Sequence, residues 1–175
     1  MAQRFPYWGA MAALVLFVAI PGQGSQPEKD TISVSPDRTL RARVHTDLHN
    51  ESSVRIEDTH SGAILLLRDD TSSDGAHGHG VVHGAWTSDS QFFVAGLEST
   101  STHPAWAHPV WVYSRASNHV VVLSSLGVTV VAKFQLRSPD ILMTRVLGGG
   151  ANGRRSGQAF SMSLHTLLTK GRQNQ

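Results

Sequence analysis

The chain has 175 residues with no cysteine, 16 Gly, 7 Pro and 10 His, and is 40% hydrophobic and 16% charged. That length suits one domain with enough apolar side chain for a packed core. Low charge with frequent Val, Ser, Thr and Gly argues against a helical bundle, a coiled coil or a disordered tail. The missing thiols exclude disulfides, thiolate zinc sites, a cysteine nucleophile and a lipidated cysteine.

Residues 1–24 read as a secretory signal peptide. Arg4 gives a positive start, Met11-Ala-Ala-Leu-Val-Leu-Phe-Val-Ala-Ile20 is uninterrupted apolar sequence bounded by Pro21, and the small residues Gly22 and Gly24 bracket a cleavage site. The run is shorter than the about 20 apolar residues a spanning helix needs. An uncleaved N-terminal anchor is the alternative. The expected mature domain, residues 25–175, is secreted or periplasmic, with no membrane attachment once the signal is removed. Without Arg4 the balance is 14 Lys+Arg against 13 Asp+Glu. The basic cluster of Arg145, Arg154, Arg155, Lys170 and Arg172 is small and lacks interleaved aromatics, so no nucleic acid partner is expected.

The body repeats. Ile32-Ser-Val-Ser-Pro-Asp37-Arg-Thr-Leu40, Gly84-Ala-Trp86-Thr-Ser-Asp89-Ser-Gln-Phe92 and Phe134-Gln-Leu-Arg-Ser-Pro-Asp140-Ile-Leu142 place their aspartates 52 and 51 residues apart. An even period of this size signals a supersecondary repeat. Each copy centres on turn chemistry and is flanked by β-branched or aromatic segments, which predicts a hairpin. A second hairpin follows in the first unit, Val54–Asp58 to Ala63–Leu67 through Thr59-His-Ser-Gly62. Its counterpart in the second runs from Val110–Ser114 to His119–Leu123 through Arg115-Ala-Ser-Asn118. In the third, Phe160, Met162 and Leu164 alternate as a strand does, but the same residues also fit a short helix running to Leu168. The expected fold is all-β: about three antiparallel four-stranded units, two and three-quarter copies in all, over about residues 30–72, 80–125 and 127–168.

Trp86-Thr-Ser-Asp89-Ser, Ser35-Pro-Asp37-Arg and Ser138-Pro-Asp140 resemble the W-S-P-D-G turn of WD40-like (PD40, TolB-type) β-propeller repeats, and the resemblance covers roughly residues 30–165. In that family the turn joins the two inner strands of a blade. Here tryptophan occurs only in the second unit, which lacks the proline, and no unit has the family's glycine after Asp. Propellers typically close with about four to eight blades. The resemblance therefore implies propeller-blade-like units in an open or incomplete propeller, a fragment of a larger one, or a ring completed between chains. A sandwich-like packing of the same hairpins is equally compatible.

A meander puts the Ser-Pro-Asp turns and the turns at residues 59–62 and 115–118 at one end. The opposite end collects His49, His77, His79, His83, His103 and His108. The H-x-H spacing of His77 and His79, with His83 beyond, points imidazoles the same way along a strand, which makes a zinc or copper site geometrically feasible. A flexible polar linker with solvated histidines explains the same residues. Catalytic signatures are wanting: there is no G-x-S-x-G elbow, and Gly148-Gly-Gly150-Ala-Asn-Gly153 matches G-x-G-x-x-G without a βαβ context. Adjacent Asp69 and Asp70 point to opposite faces of a strand.

Trp86 and Trp111 fit core positions, whereas Trp106, between Pro104 and Pro109, is placed to touch a partner from a loop. Asn50-Glu-Ser52 is a formal glycosylation acceptor. The expected function is an exported, non-catalytic binding or interaction module with a protein or peptide ligand, the partner class that blade-type repeats imply. The alternatives are a metal-binding protein using the His77/His79/His83 end and a small exported hydrolase. Edge strands at both ends of such an array also invite a homo-oligomer.

Overall fold

A computed structural model describes residues 27–101, 109–147 and 155–173. Its strands are β1 (Lys29–Val34), β2 (Leu40–Thr46), β3 (Ser52–Asp58), β4 (Ile64–Asp69), β5 (His79–Trp86), β6 (Phe92–Ser99), β7 (Val110–Ser114), β8 (His119–Val122), β9 (Gln135–Arg137), β10 (Ile141–Arg145) and β11 (Ala159–Ser163). One helix, α1 (Leu164–Gln173), follows the last strand. The signal segment, Trp106, His103, His108 and the glycine run at 148–153 lie outside the described residues.

Three open antiparallel sheets result, ordered β1-β2-β3-β4, β5-β6-β7-β8 and β11-β10-β9. On β2 and β3, buried Leu40, Ala42, Val44, Val54 and Ile56 alternate with Arg41, Arg43, Arg55 and Glu57, so the first sheet covers one face only. That face packs on Trp86, Phe93, Ala95, Leu97, Trp111 and Tyr113 of the second sheet. The second sheet turns its other side, with Phe92, Val94, Val110 and Val112, toward Leu142, Phe160 and Leu164 of the third unit. The second sheet is thus the middle layer. This explains why β6 is buried from Phe92 through Leu97 without alternation. Full burial of a side chain such as Phe93 or Leu97 contributes about 1.5–3 kcal/mol.

The first two turns are built alike, atom for atom. Ser35 and Thr87 each close the loop by accepting the amide of Leu40 or Phe92 on their hydroxyls, at 3.0 Å in both. Asp37 and Asp89 each accept that same hydroxyl at 2.6 Å and the amide two residues ahead, from Thr39 or Gln91. The residue after each aspartate, Arg38 or Ser90, is left-handed at φ 61°. The second-hairpin turns lie beside them, Thr59 donating to the Thr39 carbonyl and Arg115 to that of Gln91, both at 2.9 Å.

The third unit departs from the other two. It has three strands, as the two and three-quarter copies read from the sequence imply, and α1 stands where a fourth would begin. Asp140 accepts the Ser163 hydroxyl at 2.8 Å and the His165 amide at 2.9 Å, and Thr166 donates to Ser163 at 3.3 Å. These bonds satisfy amides at the helix start. Leu164 and Leu167 return to the core, and His165 meets Phe92 edge-on at 4.8 Å. The alternation of Phe160 and Met162 belongs to β11, and Leu164 opens the helix.

Layer contacts recur at the sequence period. Asp37 donates its amide to Ser90 (3.0 Å), the Trp86 indole donates to the Ser33 carbonyl (3.1 Å), and Ser88 donates to the Pro139 carbonyl (3.2 Å). These partners lie 53, 53 and 51 residues apart. Close approach also demands glycine at Gly96, where a Cβ would fall 1.9 Å from the Ala132 carbonyl oxygen. Replacement of left-handed Arg38 by glycine relieves a conformational cost of about 1–2 kcal/mol, less the backbone entropy glycine loses. Arg38→Gly is expected to raise stability by about 0.5–1 kcal/mol in urea unfolding. Ser90→Gly is expected to gain less, because it gives up the bond to Asp37, and Gly96→Ala to lose about 1–3 kcal/mol through overpacking.

Candidate interaction face

Among the described residues, nothing covers the outer side of the first sheet. Strand register arranges it in three rows. Asp30, His45, Ser53 and Asp69 form one, Ile32, Arg43, Arg55 and Leu67 the next, and Val34, Arg41, Glu57 and Ile64 the third. A bulge between Ile56 and Glu57 brings Ile64 into the last row. Apolar residues therefore edge the face on β1 and β4, with arginines between. Ile32, Val34, Ile64 and Leu67 are 49% to 69% exposed and are four of the six exposed large hydrophobic residues among those described. Arg41 bonds Glu57, which is buried beneath it, and Arg55 Nε lies 3.3 Å from the same carboxylate without hydrogen-bond alignment. Arg43 reaches Asp30 at 3.6 Å.

The histidine end is organised differently from the sequence expectation. His77 lies in the loop before β5, where its Nδ1 meets Asp74 at 2.6 Å. His79, opposite Ser99, begins β5 on the side of Val81. The register then slips between Val81 and His83, so His83 comes to lie opposite Gly96 and its ring meets Phe134 of the third unit at 4.5 Å. The bulge thus puts His79 and His83 on opposite faces. Among the described residues no three His, Asp or Glu side chains converge to hold a metal.

The residue that organises this end is Glu51, which the sequence marked only as part of a glycosylation triplet. It is buried, and it accepts the Gly78 amide at 2.7 Å, the Ser72 hydroxyl at 2.7 Å, the Thr100 hydroxyl at 3.1 Å and the Ser72 amide. Burial pushes its carboxyl up, but the bonds from Ser72, Gly78 and Thr100 outweigh burial and hold it below the ordinary glutamate value. Glu51 so ties residues 72–78 and the end of β6 to the first sheet. Asp47, accepting the amides of His49 and Glu51, was the available signal: an Asp four residues ahead of an acid in a tight turn.

Ser163, His165 and Asp140 have the residue types of a hydrolytic triad. Serine and histidine both bond the one carboxylate, however, and serine caps α1, so the geometry is that of a helix cap. Trp86 and Trp111 are buried between the first two sheets, as their core positions predict. The Arg68 guanidinium, paired with Asp70, lies 5.5 Å from the Trp111 ring centre. At the other end of the stack an open groove of about 500 Å³ is lined by Lys133, Phe134, Met143 and Arg145. No helix among the described residues is long and apolar enough to cross a membrane. The chain matches no known family model and no curated protein.

Glu51→Gln is expected to cost about 1–3 kcal/mol at neutral pH, read from urea unfolding, because buried donors lose a charged acceptor. The Glu51 pKa is lower folded than unfolded, where it is about 4.3. Its contribution is complete above that value and is lost as pH falls through the folded one. The difference in stability between the native chain and Glu51→Gln should therefore shrink on acidification below about pH 4.3.

Proposed function

We propose that the chain is an exported, non-catalytic binding module whose propeller-blade-like units present a site for a protein or peptide ligand on the open side of the first sheet. The observation that carries this reading is the exposure of Ile32, Val34, Ile64 and Leu67 on one flat face. The interior already buries Leu40, Val44, Val54 and Ile56 from the other side of the same strands, so among the described residues these four have no packing role. Exposed apolar residues on β1 and β4, on either side of a charged strip, mark an interaction surface. The blade-like character is supported by the matched turns at Asp37 and Asp89 and by layer contacts 51 to 53 residues apart. Export is supported by the composition of residues 1–24.

Two measurements test the proposal. Mass spectrometry of the secreted chain should find residues 1–24 removed; a retained N-terminus overturns the cleaved-signal reading. The double variant Ile32→Asp/Leu67→Asp should fold with a stability change within about 0.5 kcal/mol per exposed site. It should also lose enrichment of a displayed random-peptide library that the native chain enriches. Enrichment equal to that of the native chain would move the ligand to another surface.

A further inference from the structure

We propose that the middle row of the open face, Arg43 and Arg55 between Ile32 and Leu67, recognises a carboxylate side chain of a partner polypeptide whose apolar residues seat on the flanking β1 and β4 positions. This rests on the binding-module reading and deepens it by naming the chemistry of the partner.

Arg43 and Arg55 are directly opposite each other on β2 and β3. Like charges in that position destabilise an antiparallel pair. Both Nε atoms are also buried without a hydrogen-bond partner. Two desolvated Nε donors without an aligned acceptor, on neighbouring guanidinium groups, are a cost the free protein bears. The acids nearby offset it only in part: Asp30 stands at 3.6 Å from Arg43, and Glu57, already bonded by Arg41, lies 3.3 Å from Arg55 Nε without hydrogen-bond alignment. The two side chains are 34% and 37% exposed, and one incoming carboxylate, with two acceptor oxygens, binds the accessible donors of both guanidinium groups and offsets their mutual repulsion.

The flanks say what bears the carboxylate. Neighbouring strands are about 4.8 Å apart, so Ile32 and Leu67 each lie about one strand spacing beyond an arginine. A ligand that fills the row has an acid between two apolar groups, which a polypeptide supplies and a nucleic acid backbone does not. A second copy of this chain does not suit. Pairing two open faces about an axis through the middle row sets the arginines against themselves. The outer side of the third sheet, by register, presents Arg137 and Arg145 with no carboxylate among its described residues. Both arrangements place like charges together.

The test uses the purified mature chain, a displayed random-peptide library, and a synthetic copy of the most enriched peptide. Enriched peptides should carry Asp or Glu between Ile, Leu, Val or Phe. Arg43→Gln and Arg55→Gln should each weaken the synthetic peptide about tenfold, the loss of one charge-assisted bond. The same variants should melt at or above the temperature of the native chain, whereas arginines kept for structure would melt lower when replaced. Peptides without an acid, affinity indifferent to both variants, a lowered melting temperature, or equal competition by a single-stranded oligonucleotide each overturn this inference. A dimer in light scattering that dissociates on Arg43→Glu does so too. Indifference to the arginines leaves the binding-module reading standing, and an absence of any enriched peptide removes both.

Discussion

The fold hangs on a hydroxyl–carboxylate pair inside a five-residue turn. Ser35 with Asp37, and Thr87 with Asp89, hold the chain reversal so tightly that Arg38 and Ser90 accept left-handed backbone where glycine is the ordinary choice. Once the turns are alike they become contact surfaces for one another. Asp37 spends its amide on Ser90, and its carboxylate also takes Arg115 from the second sheet. Burial raises the Asp37 carboxyl, but the bonds from Ser35, Thr39 and Arg115 prevail and hold it far below the ordinary aspartate range, so it is an anion at neutral pH. A turn thus fixes both a hairpin and the offset between layers.

Stacking of equivalent layers sets the conditions at each end. The middle sheet has partners on both sides and is apolar on both. The first sheet has one partner, and its strands alternate accordingly. Its outer side is free to carry charge, and it carries two opposed arginines. The third unit is closed off by a change of secondary structure: Asp140, the third aspartate of the series, leaves turn chemistry and caps α1. One residue type at one repeat position therefore serves two tasks, and which task it serves depends on whether a strand or a helix follows.

Much of the architecture was legible in the sequence because period-two alternation and turn chemistry are local. The turns at residues 35–39, 59–62, 87–91 and 115–118 fall where Pro, Asp, Gly and Asn placed them, and Trp86 and Trp111 are core residues. The site was less legible, for identifiable reasons. Ile32 and Val34 alternate in the same way as Leu40 and Val44, and nothing local says which face a neighbour will cover. A single inserted residue near Val82 reversed the side taken by His83, and a register shift leaves no mark in composition. Phe160, Met162 and Leu164 satisfied strand and helix alike. Choosing between them required the long-range bonds from Asp140, 23 and 25 residues away.

A stack of similar layers is a one-dimensional lattice, and such lattices grow wherever an end face complements the opposite end. This chain differs at its two termini of growth. One presents an arginine row edged with aliphatic groups, the other a basic surface beside a helix. Repeated addition that set the middle arginine row on Arg137 and Arg145 would bring cation to cation, so that register of growth is opposed electrostatically rather than sterically. The opposition weakens as salt screens it, at separations beyond about 10 Å in 0.1 M solution. The uncovered layer can therefore stay available to a different molecule without the array becoming its own polymer.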